Sequence, residues 1–120
     1  MLSKTHRLSK NGSFNYVYRN GTPVYAKDLT LLYVPSSTDS VRVGFSVNNK
    51  IGKAVVRNKL KRRLRAIAAE FIPRLSGCQC VFVAKKGLEE VSFADLHALV
   101  EKLFVKSGLV NEKKEEEERA

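Results

Sequence analysis

Half of the sixteen residues in the stretch KIGKAVVRNKLKRRLR, residues 50–65, are lysines or arginines. Cationic side chains at this density neutralise phosphate groups, and each neutralised phosphate releases condensed counterions from a nucleic acid. No aspartate or glutamate occurs in residues 40–69, so no neighbour in the sequence offsets the charge. The stretch therefore indicates a polyanionic partner, for which nucleic acid and an anionic membrane surface are the two candidates.

The residue types that protein nucleases use for catalysis are scattered through the sequence and do not cluster. Protein nucleases gather carboxylates around Mg²⁺ or use paired histidines for proton transfer. Here the acidic residues before the C-terminal segment form no D-x-D cluster, and His6 and His97 are far apart. Cys78 and Cys80 form a C-x-C pair without the second ligand pair of a zinc site, so we interpret both as reduced thiols. The sequence predicts no catalytic residue and no metal ligand in the protein.

Length and composition predict one small domain that does not cross a membrane. The 120 residues are 43% hydrophobic, enough for a single core, and the formal net charge is +10. No apolar stretch approaches the roughly 18 residues that span a bilayer, and the N-terminus lacks the apolar part of a signal peptide. We therefore expect a cytoplasmic protein with a folded domain over residues 1–107. Residues 108–120 are Glu-rich and predict a disordered charged tail, which either shields the basic residues or aids solubility.

Hydrophobic periodicity predicts the elements before the basic stretch. Phe14, Val17 and Tyr18 recur at helical spacing and predict a helix over residues 13–19. Two short β-rich runs, 24–26 and 29–34, predict a hairpin. Apolar and polar residues then alternate over 41–47, as in a strand with one buried face.

The basic stretch itself is predicted to be a folded helix. Its apolar positions fall on one stripe of a helical wheel, at Leu60, Leu64, Ile67, Ala68 and Phe71. Arg57, Lys61 and Arg65 lie along one flank of that stripe. Ordinary solvated helices mix charge signs, because like charges at i, i+4 are destabilising, and this helix carries several such pairs. A membrane-surface helix is disfavoured, because the apolar stripe is needed for the core.

Two further elements follow the basic helix. Pro73 ends that helix, and residues 80–84 predict an apolar strand. Ser92 is expected to cap a second long helix, with Asp95 at the capping-box position and Gly108 at its end. Its buried stripe is predicted from Phe93, Leu96, Val100, Leu103 and Phe104.

The stretch VRVGFSVNNKIGKAVVRNKLKRRLR, residues 41–65, resembles the signature of the bacterial ribonuclease P protein. That signature joins a strand, a Lys-rich loop with glycine, and an Arg-Asn-Arg run that opens a basic helix. Here the run is Arg57, Asn58 and Lys59, and Asn49 stands where many relatives have lysine. The resemblance extends from Leu8 to about Ser107.

The resemblance implies an α+β fold, a single-domain sandwich of a four-stranded sheet with three helices. It further implies that the basic helix forms a left-handed crossover between parallel strands, whereas general topology rules favour the right hand. The basic helix and its loop are expected to bind RNA through Lys50, Lys53, Arg57, Asn58, Lys59, Lys61, Arg62 and Arg65.

The resemblance also implies a cleft between the first helix and the sheet that binds the 5′ leader of precursor tRNA. The residues that match or lie near this cleft are Phe14, Tyr18, Tyr33 and Phe45. Aromatic side chains of this kind either stack on bases or pack in the core, and the sequence leaves both roles open.

The function implied is that of the protein subunit of ribonuclease P, which matures tRNA 5′ ends. Its partners would be the catalytic RNA and precursor tRNA, with neither membrane nor DNA. The catalytic groups would belong to the RNA, which would also hold Mg²⁺. Two alternatives remain: a generic RNA-binding or ribosome-associated protein without a processing role, and an autonomous metal-dependent nuclease.

Overall fold

A computed structural model describes residues 6–8, 11–36 and 40–110 of the chain. Its helices and strands are α1 (Asn11–Asn20), β1 (Thr22–Ala26), β2 (Leu29–Pro35), β3 (Val41–Val47), α2 (Ala54–Phe71), β4 (Cys78–Ala84) and α3 (Phe93–Ser107). Every predicted helix and strand is therefore confirmed, with ends that differ by a few residues. Within these described ranges, no helix is long and apolar enough to cross a bilayer.

The four strands form one mixed sheet in the order β1-β2-β4-β3. β2 pairs antiparallel with both β1 and β4, and β3 pairs parallel with β4. Parallel neighbours need a crossover connection, and α2 supplies it between β3 and β4. The α+β class with three helices on a four-stranded sheet is confirmed, and the left hand of the crossover stays a prediction.

The sheet is covered on both faces, because β4 alternates its side chains between two cores. Phe82 and its same-face neighbours pack in the larger core with α2 and α3, where the rings of Phe82 and Phe104 meet edge to face at 5.2 Å. Val81 faces the other way and packs with Val17 of α1 in a smaller core. This arrangement places α1 on one side of the sheet and the basic helix on the other.

The apolar stripe of α2 docks as the sequence predicts. All five stripe residues, Leu60, Leu64, Ile67, Ala68 and Phe71, are buried. Burial of one face fixes the rotation of the helix, so the basic residues must occupy the rest of its circumference. The large core thus determines where the charges point.

One stripe residue of α3 is predicted wrongly. Phe93 is 45% exposed, whereas Leu96, Val100, Leu103 and Phe104 are buried. Phe93 is the first helical residue, so its turn extends past the core that covers Leu96. The predicted cap is confirmed, since the Ser92 hydroxyl accepts a hydrogen bond from the Asp95 amide at 3.2 Å.

The folded chain continues beyond the predicted domain boundary at residue 107. Leu109 is buried, and its carbonyl accepts a hydrogen bond from the Ser76 amide at 2.8 Å. Val110 forms an antiparallel bridge with Leu75. The boundary therefore lies at least three residues later than predicted, and the predicted disorder of residues 111–120 concerns positions outside the described part of the chain.

Leu64→Ala tests the claim that the stripe anchors α2. Leu64 is fully buried, so truncation leaves a cavity, and we expect the free energy of unfolding in urea to fall by about 2–5 kcal/mol. Val55→Ala is the matched control, because Val55 is 79% exposed on the same helix and its truncation should change stability by less than about 0.5 kcal/mol. Equal effects at the two positions would contradict the docking.

Candidate nucleic-acid interface

A short 3-10 turn and the start of α2 display the first two predicted RNA-binding lysines. The turn covers Asn49–Ile51, and Ile51 is buried while Lys50 is exposed. The Asn48 side chain accepts a hydrogen bond from the Lys50 amide at 2.9 Å, which caps the turn. Lys53 stands at the N-cap of α2 with an exposed side chain. Both ammonium groups are therefore held outside the core by a fixed backbone.

The remaining predicted RNA-binding residues lie along α2. Arg57, Lys61 and Arg65 are half-buried on one flank, and the Arg57 Nε donates a hydrogen bond to the Gly52 carbonyl at 3.2 Å. The exposed members are Asn58, Lys59 and Arg62. We call the surface formed by Lys50, Lys53, Arg57, Asn58, Lys59, Lys61, Arg62 and Arg65 the basic surface.

Among the described residues, the charges of α2 have no internal counterions. Within the described ranges, no carboxylate lies at ion-pair distance from a lysine or arginine of α2. Glu70, the one acidic residue of α2, instead contacts His97 of α3, with 2.7 Å between its Oε2 and the imidazole Nε2. The local field therefore acts on whatever approaches from solvent.

Three of the four predicted cleft residues meet in one cavity beside α1. Phe14, Asn15, Tyr18, Phe45 and Ser46 line a volume of about 510 Å³, and we call it the aromatic groove. The rings of Phe14 and Tyr18 lie 6.4 Å apart, and Tyr18 is 44% exposed. Phe45 also stacks on Phe82 at 5.9 Å. The groove therefore offers aromatic surface while two of its rings pack against the cores.

Tyr33 is the exception, and its predicted place beside the first helix is wrong. Tyr33 pairs with Cys80 in the register of β2 and β4 and packs against the larger core, on the sheet face opposite α1. Leu32 and Val34 are the β2 residues that pack in the smaller core with α1. Side chains on a strand alternate between faces, so a neighbouring position carries the side chain across the sheet.

The aromatic groove and the basic surface meet at the edge of the sheet. A second cavity of about 300 Å³ contains Phe14 and Phe45 together with Lys61 and Arg65 of α2. β3 is the edge strand between them, so the two sets of side chains form one continuous surface around that edge. Residues predicted for the helix and for the cleft therefore lie side by side, and their roles in binding stay predictions.

Close backbone approach at Gly44 makes this junction possible. A Cβ at Gly44 would lie 2.6 Å from the Phe14 Cζ and 3.1 Å from the Leu8 Cβ. Neither Gly44 nor the segment beside it was predicted to belong to the site. In that segment Arg7 bridges to Val43, and the Leu8 amide donates a hydrogen bond to the Val43 carbonyl at 3.0 Å. A glycine inside a strand often marks such an approach, and that signal was present in the sequence.

The described residues show no constellation suited to hydrolysis or to metal binding. They contain no group of three or more histidines, cysteines, aspartates or glutamates that could hold a metal ion. Cys78 and Cys80 are buried free thiols. A hydrogen bond with Cys78, together with burial, raises the pKa of the Cys80 thiol. That thiol is therefore protonated at neutral pH and is a packing group.

Comparison with known proteins identifies the family. The family model described as Ribonuclease P matches residues 2–108. The chain belongs to the ribonuclease P protein family. The ribonuclease P protein component of Caldanaerobacter subterraneus subsp. tengcongensis is 38% identical over 114 residues, which cover 94% of this chain and 98% of the relative. That of Streptococcus gordonii is 30% identical over 119 residues, covering 95% and 100%.

Solved structures from the same family share the fold. The Thermotoga maritima RNase P protein aligns with a TM-score of 0.74 at 28% identity, covering 81% of this chain and 93% of that one. The Staphylococcus aureus RNase P protein aligns with a TM-score of 0.83 at 24% identity, covering 90% and 100%. This chain is accordingly a protein component of the ribonuclease P ribonucleoprotein and acts in tRNA processing.

Lys61→Glu tests whether the like charges of α2 are costly to the isolated protein. Lys61 has Arg57 and Arg65 at i−4 and i+4, so the change replaces two repulsive pairs with two attractive ones. We expect the free energy of unfolding in urea to rise by about 1 kcal/mol at low salt, and the gain to shrink at about 1 M salt. Lys61→Gln removes only the repulsion and should give about half that gain. A stability loss in both variants would contradict the account.

Proposed function

We propose that the basic surface binds the backbone of the catalytic RNA and that the aromatic groove binds the single-stranded 5′ leader of precursor tRNA. The protein would do so in the bacterial cytoplasm as a subunit of the endonuclease that removes the leader. The observation that carries this proposal is the absence of internal counterions for α2 among the described residues. Cations arranged at high density without internal partners suit phosphates supplied by another molecule.

The geometry of the groove suits single-stranded RNA. Unpaired bases stack on aromatic side chains regardless of sequence, with about 1–3 kcal/mol per base. Tyr18 supplies an exposed ring, and Phe14 and Phe45 supply half-buried rings that belong both to the groove and to the packing of the sheet. Lys61 and Arg65 line the adjoining cavity, so catalytic RNA bound to them would lie beside the leader in the groove.

Within this proposal the chemical step belongs to the RNA. The RNA would hold Mg²⁺ and the catalytic groups, and the protein would contribute substrate binding and charge neutralisation. The charge distribution supports this division, because α2 carries six lysines and arginines and no acidic residue before Glu70. Cations on this surface reduce repulsion between RNA segments and so lower the concentration of Mg²⁺ that folding and binding require.

Reconstitution with the cognate catalytic RNA tests the function as a whole. At low Mg²⁺ we expect precursor tRNA to be cleaved at its mature 5′ end only when both protein and RNA are present. Cleavage by the RNA alone at the same rate would remove the processing role and leave a generic RNA-binding protein. Cleavage by the protein alone, abolished by a chelator, would show an autonomous nuclease instead.

Arg57→Ala combined with Arg62→Ala tests the phosphate contacts. We expect weaker binding of the catalytic RNA, and a slope of log affinity against log salt that flattens by about one unit per lost contact. Lys106→Ala is the control, because Lys106 is an exposed lysine of α3 outside the basic surface. An unchanged affinity and slope in the double variant would contradict the assignment.

Tyr18→Ala tests the leader site. The holoenzyme should bind precursor tRNA with a 5′ leader more tightly than mature tRNA, and the substitution should reduce that advantage by about tenfold. Affinity for mature tRNA should stay the same, as should both affinities in Tyr25→Ala, which alters an exposed tyrosine of β1. Equal binding of both RNAs by the unmodified holoenzyme would refute the groove assignment.

A further inference from the structure

Two valines at the start of α2 are exposed and belong to neither described core. Val55 is 79% exposed and Val56 is 38% exposed in the first turn of the helix, between Lys53 and Lys59. Valine is only a moderate helix former, and the buried stripe of α2 begins at Leu60. Isolated exposed apolar residues are common, but these two are adjacent and border a cavity.

The cavity combines an apolar wall with a charged rim. Its volume is about 400 Å³, and its lining comprises Val55, Val56, Lys59, Leu60, Arg63 and Glu89. Leu60 is nearly fully buried and lies at the floor. We call this space the valine pocket. Lys59 belongs both to this lining and to the basic surface, so the pocket adjoins that surface.

Glu89 distinguishes the valine pocket from a phosphate site. The buried side chain of Leu88 anchors its loop, and one oxygen of the Glu89 carboxylate, Oε2, accepts a hydrogen bond from the Gly87 amide at 2.8 Å. Within the described ranges, Glu89 makes no ion pair with Lys59 or Arg63, and its second oxygen has no partner. A carboxylate repels a phosphate, but it accepts hydrogen bonds from the N–H groups at the edges of nucleobases.

We propose that the valine pocket binds one unpaired nucleobase of the RNA that docks on α2. The base face packs on Val55 and Val56, its edge donates a hydrogen bond to Glu89, and Lys59 and Arg63 contact the flanking phosphates. This inference rests on the proposed function, because it requires RNA on the basic surface. It adds a contact that reads a base, whereas the basic surface contacts only the backbone.

The first test separates apolar from electrostatic binding. In the holoenzyme, Val55→Ser with Val56→Ser should weaken binding of the catalytic RNA about fivefold, because apolar contact area is lost. The salt slope should not change, because no phosphate contact is removed. Val105→Ser is the matched control, since Val105 is 61% exposed on α3. Equal affinity in the double variant and the control would overturn the proposal. A steep salt slope of the unmodified protein would in that case still support RNA binding by the basic surface.

The second test uses the sign of a charge effect. Glu89→Ala and Glu90→Ala each remove one negative charge at neighbouring positions, but only Glu89 lines the valine pocket. If phosphates alone mattered, both changes would tighten RNA binding; we expect Glu90→Ala to tighten it slightly and Glu89→Ala to weaken it. Glu89→Gln keeps an acceptor for the Gly87 amide and for a base, and should retain more affinity than the alanine variant. Tighter binding by Glu89→Ala would overturn the proposal.

Chemical probing of the RNA locates the base. Dimethyl sulfate, kethoxal and carbodiimide together report the pairing edges of all four bases. The unmodified protein should protect one unpaired base that becomes reactive again in the double serine variant and in Glu89→Ala. Identical reactivity at every unpaired base with all three proteins would contradict the valine pocket as a base site.

Discussion

The contact between the apolar stripe of α2 and the sheet is the constraint on which the rest of the structure depends. Six lysines and arginines on one helix repel each other, and no described carboxylate offsets them. Helix propensity cannot hold such a segment alone, because most helical stability in proteins comes from tertiary packing. Burial of Leu60, Leu64 and Ile67 stabilises the helix against this repulsion and determines which side of it carries the charges.

The topology of the sheet places this helix where its charges meet the aromatic rings. Because α2 connects β3 to β4 and lies opposite α1, the edge strand β3 lies between the basic residues of α2 and Phe14. Gly44 lets the Phe14 ring approach that strand closely. The basic residues of α2 and the aromatic groove therefore form one continuous surface around the strand edge.

The sequence predicted what depends on local periodicity. The stripe of α2 and the cap at Ser92 follow from spacing alone, and both are confirmed. The side of the sheet on which Tyr33 lies does not follow from spacing, because β2 is apolar at nearly every position and shows no alternation of apolar and polar residues. Only the pairing of Tyr33 with Cys80 reveals the face. The exposure of Phe93 likewise depends on where the core ends along the axis of α3.

Contacts between distant segments could not be predicted either, because they too depend on the three-dimensional arrangement of the elements. The junction of Lys61 with Phe14 requires the relative placement of α1 and α2 across the sheet edge. The valine pocket requires a loop after β4 to bring Glu89 beside the first turn of α2. Charge and composition indicated the partner class, whereas the three-dimensional fold shows which side chains lie together.

Lysine acetylation footprinting, read by mass spectrometry on the unmodified protein with and without catalytic RNA, tests most directly whether α2 holds its charges for another molecule. The account predicts that RNA strongly slows the acetylation of Lys50, Lys53, Lys59 and Lys61. Lys27, Lys102 and Lys106, which lie outside the basic surface, should react at unchanged rates. Equal acetylation of Lys50, Lys53, Lys59 and Lys61 with and without RNA would contradict the account.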